Sequence, residues 1–140
     1  MLLRIMPINK LMLSIYGKKH PEDAPNFTYD EWKCNDGTNY ILNDPENPRI
    51  AQLVRDHFGV PVTLTSGFRS KSYNAKIGGS SSSQHCLGTA ADIKVSGVDP
   101  IAVAIFLSSL PEFATKGGIG CYSHDSNIGG FTHFDTRATK

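Results

Sequence analysis

Apolar residues at Ile50, Leu53, Val54 and Phe58 recur at intervals of three and four, the spacing that lines one face of an α-helix. Asn47 and Pro48 ahead of this run and Gly59 behind it are start and stop signals, so a helix is predicted over residues 47–58. From residue 60 the period drops to two. Val60, Val62 and Leu64 alternate with Pro61, Thr63 and Thr65, which predicts a strand leading into Gly67, Phe68 and Arg69. Residues 70–77 read as one or two helical turns, and Gly78, Gly79 and the serines at 80–83 read as a flexible loop. Residues 89–95 alternate again, placing Ala90, Asp92 and Lys94 on one face and Ala91, Ile93 and Val95 on the other. Asp99 and Pro100 open a second helix to about Leu110, apolar on most faces and expected to be buried. Residues 117–122 and 130–136 predict two closing strands joined by a polar loop that holds His124 and Asp125. On the last strand Phe131, His133 and Asp135, continued by Arg137, share a face opposite Thr132, Phe134 and Thr136.

This order predicts an α+β fold, a single domain with a mainly antiparallel sheet and flanking helices. The expected division is an N-terminal extension at residues 1–26 and one folded domain at 27–140. In the extension, Arg4, Lys10, Lys18 and Lys19 surround a short apolar run at residues 11–16. That run falls short of the roughly 18 to 20 residues of a spanning helix. With basic residues at both ends and no small-x-small cleavage site, it also makes a poor signal peptide. It is expected to form an amphipathic strand or helix covering the domain, in a protein that stays cytoplasmic until released.

A chain of 140 residues with 39% hydrophobic and 19% charged positions and 13 glycines describes one loop-rich globular domain. A net charge of +1 argues against nucleic acid as a partner. No stable membrane insertion is expected, and the protein is expected to be a monomer. The three cysteines, Cys34, Cys86 and Cys121, form no CxxC pair, and their odd number rules out full pairing. Cys86 reads as a small packed residue rather than a ligand, while Cys34 and Cys121 are left to pack or to pair. Tyr29 and Trp32 read as core.

The chemistry lies in two segments. His85 sits in a loop, Gly88 permits a turn, and Asp92 follows on a strand; His133 comes from the last strand. Two imidazoles and a carboxylate form the open three-ligand set of a catalytic zinc site, whereas structural sites usually close with four ligands rich in Cys. Asp135, beside His133 on the same face, is the candidate catalytic base, and the alternative for it is a carboxylate that orients the imidazole. Arg69, at a strand end, suits a substrate carboxylate or a developing oxyanion, against the plainer reading of a surface salt bridge. Ser83 either meets substrate or caps its loop.

The pattern Ser-x-His-x-x-Gly-x-Ala-x-Asp at 83–92 and Phe-x-His-x-Asp-x-Arg at 131–137 resembles the M15 metallopeptidases. The resemblance takes in residues 63–70, Tyr73-Asn74, Gly78-Gly79 and 117–122, and covers roughly residues 27–137. It implies a fold like that of hedgehog and the D-Ala-D-Ala peptidases, with Zn2+ held by His85, Asp92 and His133. It further implies a peptidase acting on peptidoglycan peptides, either a D-Ala-D-Ala carboxypeptidase or an endolysin-type endopeptidase, with a phage or prophage origin. Arg69, Ser83 and Tyr73 would then contact substrate. The chain departs from many relatives at Gly130, where they carry Glu, and at Phe131, where others have a second His. The alternative is a non-catalytic, zinc-containing wall-binding or phage structural module of the same fold.

Overall fold

Four strands pair into one antiparallel sheet: β3 (Val62–Ser66), β4 (Ala90–Val95), β5 (Gly118–Tyr122) and β6 (Phe131–Asp135), in the order β3-β4-β6-β5, and period-two alternation marks β3, β4 and β6. The structure, a computed structural model, describes residues 12–14 (backbone only), 21, 23–38, 40–123 and 130–140. Most of the N-terminal extension therefore lies outside the described residues, as do His124 and Asp125. Strand β1 (Met12–Ser14) pairs antiparallel with β2 (Ile41–Asn43) in a separate two-stranded sheet. The α+β reading, with a mainly antiparallel sheet, holds.

The sheet has two unlike faces. Ala91, Ile93, Val95 and Phe134 are buried on one of them. They pack with Ile50, Ala51 and Val54 of helix α1 (Glu46–Phe58) and with Val103 and Leu107 of helix α3 (Pro100–Ser108), the short helix α2 (Lys71–Lys76) falling between these two in the chain. Burying a side chain of this size contributes about 2 kcal/mol, so this face holds the domain together. The opposite face carries Asp92, His133 and Asp135. Antiparallel pairing sets Asp92 against His133 and Ala90 against Asp135, while β5 offers Gly120 to His133 and Gly118 to Asp135.

Two expectations about the helices are corrected. Helix α1 begins at Glu46 rather than Asn47, because the Asp44 carboxylate accepts from the Glu46 amide at 3.0 Å. Pro48 then falls in the first turn, where a missing N–H costs nothing, and the Asn47 side chain donates to the Gly88 carbonyl at 3.4 Å. Helix α3 is not buried on most faces: Val103 and Leu107 are covered, but Ile101 and Ile105 are 52% and 65% exposed. An all-apolar helix gives its pattern no direction, so the sheet decides which stripe is covered. Among the described residues, no helix is long and apolar enough to cross a membrane.

Candidate metal centre

Each functional side chain is positioned by a local feature of the sequence. Ser83 opens a turn of 3-10 helix (Gln84–Leu87), its Oγ accepting from the His85 amide at 3.1 Å. Gly88 ends that turn at φ 77°, a left-handed conformation costly for other residues. A Cβ there would also stand 2.5 Å from the Leu42 carbonyl oxygen. The chain then enters β4, whose alternation turns Asp92 toward the same side as His133 on β6.

The three expected ligands converge. His85 Nε2 lies 3.2 Å from Asp92 Oδ1, and His133 Nδ1 lies 2.8 Å from the same oxygen. One donor atom from each residue fits within 4.8 Å of the others, so the group is able to hold a metal ion. Two further contacts settle which ring nitrogens are free to do so. His85 Nδ1 donates to the Gly67 carbonyl at 2.8 Å, and His133 Nε2 lies 2.8 Å from Asp135 Oδ2. In each ring the outer nitrogen is engaged and the other faces Asp92, an arrangement that orients imidazole ligands in metal sites. Gly67 can bring its carbonyl this close because it packs bare against Trp32: a Cβ would lie 2.8 Å from Trp32 Cα.

Asp135 is fully buried. Arg137 grips it bidentately, Nε to Oδ1 and Nη2 to Oδ2, both at 2.6 Å. Gly118 leaves room for the pair, since a Cβ there would stand 2.8 Å from Asp135 Oδ2. The base expected from sequence is thus a carboxylate with both oxygens taken, on the ring nitrogen of His133 turned away from Asp92. Its contacts are those of a group that orients an imidazole.

Charge around the ligands is strongly coupled. Burial works against ionised Asp92, but hydrogen bonds from His133 and His85 outweigh it and hold the carboxyl at about 2. Burial likewise works against protonated His133, and its bonds to Asp135 and Asp92 outweigh that and hold the imidazole up at about 9. Asp135 is pulled well below the usual carboxylate range by Arg137 and His133, which together overcome its own desolvation.

Arg69 is not an exposed salt-bridging residue. Its side chain is 16% exposed, with Nη2 3.6 Å from Asp92 Oδ2. Nε donates to Ser66 Oγ at 3.0 Å, and Nη1 donates to Asn74 Oδ1 at 3.1 Å. Ser83 serves as the loop cap. Tyr73 is half-buried against the core and lines a shallow cleft with Ser66 and Arg69. Cys86 turns its sulfur toward the Ser70 carbonyl, 4.0 Å away, and is not among the ligands. Cys34, Cys86 and Cys121 are all free. Sequence reasoning missed the parts played by Gly67, Asn74 and Arg137. Only Arg137 left a legible signal, its alternation with His133 and Asp135 just past the end of β6.

A protein-family model described as Peptidase M15 matches residues 25–135. No curated protein and no solved structure matches the chain.

Proposed function

The chain belongs to the peptidase M15 family, and on that premise we propose that it is a zinc-dependent peptidase hydrolysing a peptide bond in the stem or cross-link peptides of peptidoglycan. One observation carries the reading: two imidazole nitrogens and a carboxylate oxygen converge within 4.8 Å, a donor set that leaves a coordination position for water or substrate. His85, Asp92 and His133 would hold the ion. When bound, zinc supplies Lewis-acid activation of water and of the scissile carbonyl near neutral pH.

The remaining work falls to the chain's own groups. Gly67 and Asp135 hold the two imidazoles with their ligating nitrogens turned inward. Asp92 stays ionised at neutral pH, so its carboxylate offers negative charge to a cation, which His133 would join as a ligand by shedding its proton. The Arg69 guanidinium, anchored by Ser66 and Asn74, is pre-set beside the ligands to meet a substrate carboxylate or a developing oxyanion. The hydrogen bonds of Asp135 favour positioning of His133 over direct proton transfer.

That same engagement of Asp135, together with Gly130 in place of the Glu of many relatives, favours a second reading, a zinc-containing wall-binding or phage structural module without turnover. Zinc content and amino-group release from purified sacculi, measured on wild type and His85→Ala, decide between the two. One zinc per chain with release by wild type alone supports the peptidase. Zinc without release supports the binding module, and no zinc removes both.

A further inference from the structure

The face that carries the ligands continues past them. Alternation leads from Asp92 to the half-buried Lys94 on β4, and from His133 back to Phe131 on β6. On β5, Gly120 pairs with His133, and Tyr122 pairs with Phe131. The Tyr122 and Phe131 rings stack, their centroids 4.6 Å apart and their planes 14° from parallel, yet Tyr122 is 52% exposed. Single apolar residues scattered over a surface need no explanation. A stacked pair next to a reactive centre is different, because it offers a rigid contact surface at low entropic cost.

Tyr122 also leans toward the ligands. A Cβ on Gly120 would lie 3.0 Å from Tyr122 Cε2 and 3.5 Å from His133 Cβ. Gly120 therefore leaves room for the ring, and no side chain of β5 stands between the aromatic pair and the metal group. The ring of Tyr122 thus keeps one apolar face free, backed on the other side by Phe131 and rimmed by its phenol hydroxyl, and Lys94 lies on the strand beyond Phe131. A pyranose ring has the matching shape, with apolar C–H faces and a polar edge, whereas the methyl of an alanine is too small to cover the face of an aromatic ring.

We infer that Tyr122 and Phe131 form a subsite for an N-acetylated amino-sugar ring of the glycan strand, adjoining the bond cleaved. This inference rests on the peptidoglycan reading above. Two residues along a strand span about 7 Å, so a sugar on this ledge lies within about two residues of extended peptide from the metal group. The bond cleaved is then one near the glycan end of the stem.

The test is a titration of the full chain with a peptide-free N-acetylglucosamine tetrasaccharide, followed through the backbone amide signals by NMR. Wild type and Tyr122→Phe should bind saturably, and Tyr122→Ser about tenfold more weakly. No saturable binding, or equal binding by Tyr122→Ser, overturns the subsite. In a second arm, kcat/KM of Tyr122→Ser should fall about tenfold further on glycan-bearing stems than on the glycan-free peptide. Equal losses on both substrates overturn the proposal, since they mark a role in folding or in holding peptide. Sugar binding by a protein that cleaves neither substrate sinks the peptidase reading while supporting the subsite.

Discussion

His85 donates from Nδ1 to the Gly67 carbonyl at 2.8 Å, and this bond leaves Nε2 as the nitrogen facing Asp92. A backbone carbonyl, held in place by Trp32 behind Gly67, thus chooses the tautomer of a candidate metal ligand. His85→Ala removes both the ligand and its anchor. Zinc affinity should fall by more than about 100-fold, since losing even a supporting partner typically costs 10- to 100-fold. Competition with a chromogenic chelator measures it, and native-like circular dichroism would show that the loss is local.

Asp135→Asn keeps an oxygen for His133 but loses the charge held by Arg137. If Asp135 acts by positioning His133, zinc affinity should drop about 10- to 100-fold, and activity should return when zinc is supplied in excess. A proton-transfer role predicts the opposite pattern, normal zinc content with activity that excess metal does not restore. Isothermal titration paired with kcat at saturating zinc separates the two.

Asn74 is buried, accepting from Arg69 and donating to the Ser80 carbonyl at 2.7 Å. Asn74→Ala should leave zinc stoichiometry at its wild-type value, lower kcat/KM by about tenfold or more through a loosened Arg69, and destabilise the fold by about 1–3 kcal/mol. Unchanged kinetics would detach Asn74 from the site.

The metal-free protein should show two pH limits. His133 is raised to about 9, so the stability from its imidazolium is fully present below the ordinary histidine value near 6.5 and is lost as pH rises through 9. Asp92 is lowered to about 2, so its contribution is present above the ordinary carboxylate value near 4 and is lost as pH falls toward 2. Urea midpoints of the chelated protein should decline over both windows. Zinc affinity should rise over the upper one, because His133 must shed its proton to ligate.

Gly130→Glu, which would install the acid found in many relatives, should not raise activity. Gly130 has φ 87°, and a Cβ there would lie 3.0 Å from the Tyr122 carbonyl oxygen. The substitution should cost about 1–2 kcal/mol of stability through left-handed strain. A gain in kcat with unchanged melting temperature would overturn this account.

Much of this architecture was legible from residue order alone. Period-two alternation placed β3, β4 and β6 and set Asp92, His133 and Asp135 on faces that could meet. Gly59 marked the end of α1, where it adopts φ 68°. What was not legible depended on partners far along the chain. The start of α1 was masked because Asp44, rather than Asn47, provides the capping oxygen. The exposed stripe of α3 was masked because a helix apolar all round carries no directional pattern. Arg69 kept a plainer reading as a solvated side chain, since nothing near it in sequence announced that Asp92, 23 positions on, would lie beside it. The carbonyl of Gly67 has no side-chain signature at all, so its hold on His85 could only be seen in three dimensions.

The pairing of β4 with β6 gives the centre a second meaning. Asp92 stands opposite His133, and because side chains alternate faces, a slip of one residue would send one ligand of the pair into the core. The three donors therefore meet only when these two strands, separated in the chain by α3 and β5, are in native alignment. Metal uptake would in this sense be a proofreading signal: an ion that binds the aligned form alone would draw the folding equilibrium toward it, and the rate of zinc uptake during refolding would report when the sheet has found its alignment.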